Sequence, residues 1–232
     1  MIGCPEATLY PSENFGPRKI YLTPDLIIIH YTGMESLKGA LKRLTLKEYQ
    51  VSAHYLITKS GLIKQLVGED KRAWHSGTSY WGGITDINSR SIGIELDNSG
   101  ATSYPSLQML ALLNLCKDIM VRWSIPNWRV LGHSDVSIGR KVDPGPIFDW
   151  FWLYCNGVGP WYETVDYYEE VDEAKFLKDA TIFGYETSIG TSALLKAFRL
   201  HMNPKENGPL NAFDCACMSS LAKKYPVDLL KL

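Results

Sequence analysis

Apolar positions change their period several times along the chain, and each change marks an element. Asp25 to Tyr31 (DLIIIHY) is a short β-branched run behind Pro24, the pattern of a central strand buried on both faces. Leu37, Leu41, Leu44 and Tyr49 recur at roughly helical spacing with lysines between them, so 37–49 reads as an amphipathic helix. His54 to Thr58 and Leu62 to Val67 flank Lys59-Ser60-Gly61 as a hairpin would. Ser91 to Leu96 (SIGIEL) is another strand, Leu107 to Trp123 the longest helix, ending before Pro126, and Trp128 to Gly132 one more strand. Ala174 to Asp179, Thr191 to Arg199 and Cys215 to Lys224 each have the look of short helices, set apart by Gly184, Pro204 and Gly208-Pro209.

Strands alternating with helices imply an α/β fold, a mixed central sheet flanked by helices, followed by a small C-terminal helical domain. The divisions expected are an extended, proline-punctuated N-terminal arm over 1–24, a main domain over 25–155, a linker over 156–172 that contains the acidic run from Glu169 to Glu173, and the helical domain over 173–232. Neither an internal repeat nor a low-complexity segment interrupts this order.

Composition narrows the partners. The 232 residues hold 24 basic and 25 acidic side chains, a net charge of -1, which gives no electrostatic footprint for nucleic acid or an anionic membrane. Cys4, Cys116, Cys155, Cys215 and Cys217 lack the spacing of a disulfide framework or a structural zinc site. No apolar run suits a membrane span and the first twenty residues lack a signal pattern, so a cytoplasmic monomer is expected. Gly3-Cys4 nevertheless resembles the end of a lipoprotein signal, which leaves a periplasmic or lipid-anchored protein as the alternative.

His30 and His133 both stand at the ends of expected strands, where distant segments converge on one cleft, and Asp143 follows in the stiff segment Asp143-Pro144-Gly145-Pro146. Two imidazoles and a carboxylate are a common three-ligand set for catalytic zinc. Taken singly, each histidine reads as a hydrogen-bonded structural residue and the aspartate as a turn or cap. The combination reads differently. IIIHYT (27–32), SAHY (52–55), AWHSG (73–77), SIGIEL (91–96), GHSD (132–135) and RKVDPGP (140–146) occur in that order, and together they closely resemble the type-2 N-acetylmuramoyl-L-alanine amidase family over about residues 25–152. After 172, AFRLHM (197–202) resembles the helical peptidoglycan-binding-type domain that follows the catalytic domain in one branch of that family.

The resemblance implies that His30, His133 and Asp143 hold Zn2+, that Glu95 takes the catalytic acidic position and Lys141 the catalytic lysine, and that His75, Trp81 and Asn88 contact substrate. It implies hydrolysis of the amide between the lactyl group of N-acetylmuramic acid and L-alanine in peptidoglycan fragments (muropeptides). The alternative is a non-catalytic peptidoglycan-recognition module. His54 and His201 are expected to be structural. Ser89-Arg90 departs from the family pattern at what is expected to be the rim for the stem peptide.

Overall fold

The computed structural model describes residues 3–19, 23–163 and 170–227. In chain order these form β1 (Thr8–Leu9), β2 (Phe15–Pro17), β3 (Leu26–Tyr31), α1 (Leu37–Thr45), β4 (Tyr55–Ile57), β5 (Ile63–Gln65) and β6 (Lys71–Ala73). There follow α2 (Ile87–Arg90), β7 (Ser91–Leu96), α3 (Ser106–Trp123), β8 (Val130–Gly132), α4 (His133–Val136), α5 (Trp150–Cys155), α6 (Glu173–Phe183), α7 (Thr191–Met202) and α8 (Ala212–Lys224). The main sheet runs β1-β5-β4-β7-β3-β8. Only the expected hairpin, β4 with β5, is antiparallel; every other neighbour pair in this sheet is parallel.

Side chains alternate across a strand, and β3 uses both faces. Ile27 and Ile29 enter a core shared with Ile92, Ile94, Leu112, Cys116 and Leu153, that is, with α3 and α5. Leu26 and Ile28 point the other way, into a core shared with Phe176, Phe183, Leu194, Phe198 and Leu221 of α6, α7 and α8. The C-terminal helices thus cover one face of the sheet and α3 the other, which is why DLIIIHY is apolar without a period. The expected linker over 156–172 includes residues 164–169, which lie outside the described residues.

Element ends follow local chemistry. Ser36 caps α1 by accepting from the Gly39 amide at 3.1 Å. This helix stops at Thr45 rather than 49, because Leu46 turns extended and Lys47 to Tyr49 form a separate single 3₁₀ turn. Trp128 likewise belongs to a 3₁₀ turn that leads into β8 rather than to the strand. Asp172 caps α6, and Gly184 ends it at φ 127°, where an added Cβ would lie 2.6 Å from Trp81.

The described part of the N-terminal arm is built into the fold. β1 adds a parallel edge to β5, and β2 pairs with β6 in a second, two-stranded sheet. Arg18 is buried and donates to the carbonyls of Glu69, Ser89 and Ser91, and this burial lowers its guanidinium pKa to about 10. Alternating polar residues on so short a segment gave no period from which either strand could be read.

Candidate active site

The parallel strands β3, β7 and β8 deliver their carboxyl ends to one edge of the sheet, where α/β folds bind ligands. His30 lies near the end of β3, Glu95 is its register partner on β7, and His133 opens α4 directly after β8. Asp143 returns to the same point, its carbonyl accepting from the Ser134 amide at 2.9 Å and the next carbonyl, of Pro144, from the Tyr104 hydroxyl at 2.7 Å. His30 Nδ1, His133 Nδ1 and Asp143 Oδ2 are each 3.0 Å from the other two, and all three residues are buried.

The chemistry of this donor set fits a cation. His133 Nε2 lies 3.0 Å from the Ser76 carbonyl, which can only accept, and 3.3 Å from Arg140 Nη2; with the ring proton directed to the nearer carbonyl, Nδ1 presents a lone pair. That lone pair faces a carboxyl oxygen at 3.0 Å, two acceptors that a metal ion would reconcile. A tetrahedral zinc bound at about 2.0–2.1 Å sets its ligand atoms about 3.3 Å apart, close to the spacing here. Burial, with His133 alongside, pushes the His30 pKa down to about 4, so its imidazole is neutral at pH 7, as a ligand must be. Among the described residues this is the cluster of histidines, cysteines and carboxylates that could hold a metal.

Glu95 stands beside the triad. Its Oε2 is buried without a hydrogen-bond partner, and burial together with the negative Asp143 pushes its carboxyl up to about 8, with Lys141 pulling the other way. Lys141 is exposed and lines the same cleft as Glu95. That cleft, of about 510 Å³, is lined by His30, Tyr31, Glu95, His133, Lys141 and Asp143 among others.

The five residues expected to carry the chemistry border this one cleft, and of the three expected to touch substrate His75 borders it as well. Trp81 is 3% exposed and packed edge-on against Phe183 and Tyr185 under the C-terminal helices, a packing position away from the cleft lining. Asn88 is buried, and its Oδ1 accepts from the His75 and Ser76 amides at 3.0 and 2.8 Å, which braces that loop. His75 borders the cleft but its ring is engaged below, with Nδ1 3.0 Å from His30 Nε2 and Nε2 3.2 Å from Ser91 Oγ. Arg90, expected at the rim, instead binds Asp25 through Nε and Nη2 at 2.9 and 2.5 Å, at the amino end of β3. His54 is structural as expected, its Nδ1 accepting from Gly93 N and its Nε2 donating to Lys71 O.

Sequence reasoning did not assign roles to Ser76, Ser91 or Arg140. Arg140 donates to the carbonyls of Ser76 and Thr78 and so ties the loop to the segment that carries Asp143. Backbone acceptors leave no trace in residue identity. Ser91 and Gly93 did leave one, since alternate positions of an otherwise apolar strand are small.

Two imidazoles and a carboxylate buried at the carboxyl edge of a largely parallel sheet, with an acid and a lysine beside them, are the equipment of a metal-dependent hydrolase. Comparison with known proteins makes the class specific. Residues 20–146 match the family described as N-acetylmuramoyl-L-alanine amidase, and the chain belongs to that family. It is 35% identical to N-acetylmuramoyl-L-alanine amidase AmiD of Escherichia coli, over 88% of this chain and 84% of that one. The structure of E. coli AmiD in complex with anhydro-N-acetylmuramic acid-L-Ala-D-gamma-Glu-L-Lys superposes with a TM-score of 0.81 at 33% identity, covering 88% of this chain and 91% of that one. AmpDh3 of Pseudomonas aeruginosa in complex with anhydromuramic pentapeptide gives 0.79 at 30% identity, over 98% of this chain and all of that one (100%).

Proposed function

We propose that this protein hydrolyses the amide bond between the lactyl group of N-acetylmuramic acid and L-alanine in muropeptides, with a zinc ion held by His30, His133 and Asp143. The convergence of those three donor atoms at 3.0 Å beside Glu95 carries the reading. AmiD and AmpDh3, bound in their structures to anhydromuramyl peptides, support the substrate class. Residues 25–155 hold every group named, and the helices α6, α7 and α8 back the sheet face beneath them.

Zinc held there supplies Lewis-acid polarisation of the carbonyl and makes a water acidic enough to attack near neutral pH. Glu95 takes the proton of the attacking water on its carboxylate and returns it to the alanine nitrogen, which must be protonated to leave. A proton affinity raised by burial suits a group that has to do both. Lys141 places its ammonium by the carbonyl oxygen as negative charge develops on it. The 510 Å³ cleft accommodates a sugar and the first residues of a stem peptide, and its buried floor limits access of bulk water.

The test is mass spectrometry of the products from a defined muropeptide, with metal analysis of the same protein. Release of an intact stem peptide beginning with L-alanine is expected, lost on chelation and restored by zinc. Full activity in metal-free protein, or cleavage at another bond, would overturn the reading, and binding without cleavage would point to a recognition module instead.

A further inference from the structure

Alternate positions of β7 on the face shared with Leu26 and Ile28 are Ser91, Gly93 and Glu95, the register partners of Leu26, Ile28 and His30. The run is polar or small where the rest of that face is apolar. The ring of His75 fills the space: a Cβ added to Gly93 would lie 2.5 Å from His75 Cγ and 2.7 Å from Nδ1. Gly93 has ordinary extended backbone, so what it provides is room for an imidazole laid against the strand. Asn88 Oδ1 fixes the backbone on either side of that imidazole.

Proton directions around this ring can be read in sequence. Ser91 Oγ lies 2.6 Å from the Ile87 carbonyl, which only accepts, so the single hydroxyl proton of Ser91 is committed to it. Toward His75 Nε2, 3.2 Å away, Ser91 Oγ is therefore an acceptor, and the proton of neutral His75 resides on Nε2. His75 Nδ1 is left as a lone pair, 3.0 Å from His30 Nε2 and 3.1 Å from Ser76 Oγ, both of which can donate to it. A proton on His30 Nε2 leaves Nδ1 bare, aimed at His133 Nδ1 and Asp143 Oδ2.

We propose that Ser91 and His75 form a positioning relay that holds the His30 proton on Nε2 and locks its ring, so that Nδ1 is presented as a metal-ligand lone pair. His133 reaches the same state through a backbone carbonyl; His30 reaches it through a second side chain, and is the ligand whose state a substitution can change. With the other tautomer His30 Nδ1–H would bridge His133 and Asp143 and occupy the space of the ion. The inference rests on the proposed metal site, and second-shell partners of ligating histidines are worth about ten- to a hundredfold in metal affinity.

Two measurements on the full chain separate the inference from that reading. In metal-free protein, ¹⁵N-histidine NMR should show His30 protonated on Nε2, and Ser91→Ala should move proton population toward Nδ1. Zinc affinity, measured by competition with a chromophoric chelator, should fall about ten- to a hundredfold in His75→Leu and in Ser91→Ala. His75→Asn, whose amide oxygen can take the place of Nδ1, should recover part of it. Ser91→Ala retains every ring, so it serves if His75→Leu fails to fold. A wild-type His30 protonated on Nδ1, or zinc affinity within about twofold of wild type in both Ser91→Ala and His75→Leu, would overturn the relay. If wild-type protein bound no zinc but showed the expected protonation and its shift in Ser91→Ala, the relay would stand and the metal reading would fall.

Discussion

Replacing Glu95 by Gln should make the metal-free protein more stable while removing its activity. The carboxyl is held at about 8 against an ordinary value of 4.5, so the folded state binds its proton more tightly than the unfolded state does. The sign follows: Glu95 costs nothing below about pH 4.5, and its cost grows as pH rises toward 8 and then levels off. At 1.36 kcal/mol per pKa unit the shift is worth about 4 kcal/mol at pH 8 and about 3 kcal/mol at pH 7. Those are upper bounds, because the residue is only partly buried although its Oε2 is shut from solvent. Half of them, about 1–2 kcal/mol at pH 7, matches the usual cost of a buried polar atom with no partner. For a chain of this size that is a rise of about 3–6 °C in melting temperature. Urea unfolding of chelator-treated wild type and Glu95→Gln at pH 5 and pH 8 measures it, the variant gaining at pH 8 and matching wild type near pH 5. Bound zinc would lower the Glu95 pKa and shrink the difference, so the metal-free comparison is the decisive one. Turnover on a muropeptide should drop about a hundredfold or more. A variant no more stable at pH 8 than at pH 5, relative to wild type, would refute the account of Glu95 as a strained carboxyl kept for chemistry.

Lys141→Ala should lower kcat about a hundredfold with zinc content unchanged, as for a lost oxyanion partner; near-normal turnover would remove Lys141 from the mechanism. Trp81→Ala should cost about 3–5 kcal/mol of stability, read from urea midpoints, yet leave KM for the muropeptide unaltered, whereas a raised KM in still-folded protein would restore Trp81 to the substrate. His54, pushed down to about 3 by burial and by Arg18, is neutral when folded, so stability should fall as pH drops from about 6.5 toward 3, by up to about 5 kcal/mol from this residue. His30 and His75 are depressed in the same direction and add to the slope. His54→Gln should flatten the acid limb in a urea series, and an unchanged slope would show that burial of His54 does not govern it.

What could be read from sequence was whatever periodicity and motif order record. β3, β7, the β4–β5 hairpin and α3 stood out because their apolar runs are long or bounded by turn residues. β1, β2 and β6 did not, since two or three residues paired at a sheet edge need no apolar face. His30, His133 and Asp143, and the pair Glu95 and Lys141, could be singled out because each lies in a distinctive string, and all five border one cleft. Substrate contacts cannot be separated in the same way, for the same strings also contain residues that support the site: in AWHSG the ring of His75 lies against His30 and Ser91, while the carbonyl of the next residue, Ser76, faces His133 and Arg140. Whether an asparagine binds a ligand or two backbone amides is decided by the loop around it, and Asn88 has the amides of His75 and Ser76 within 3.0 Å.

The C-terminal helices bear on the site through one carboxyl group. Asp135 lies two residues past His133, is 1% exposed, and accepts three hydrogen bonds. One comes from the Gly132 amide at 2.7 Å, in the turn that aims His133; the other two come from the Tyr185 hydroxyl at 2.7 Å and His201 Nδ1 at 2.8 Å, beyond the catalytic segment. A buried carboxyl is tolerable only when hydrogen-bonded, so the turn that presents His133, a proposed metal ligand, depends on donors that the C-terminal helices bring. His201 is itself stacked on Trp150 at 3.8 Å, and Trp150 packs against the Gly132 backbone, where a Cβ would lie 3.2 Å from its Cζ2. Together with the apolar face formed by Leu26, Ile28 and Leu131, these contacts make α6, α7 and α8 one layer of the fold that holds His133 in place, whatever else their outer surface binds.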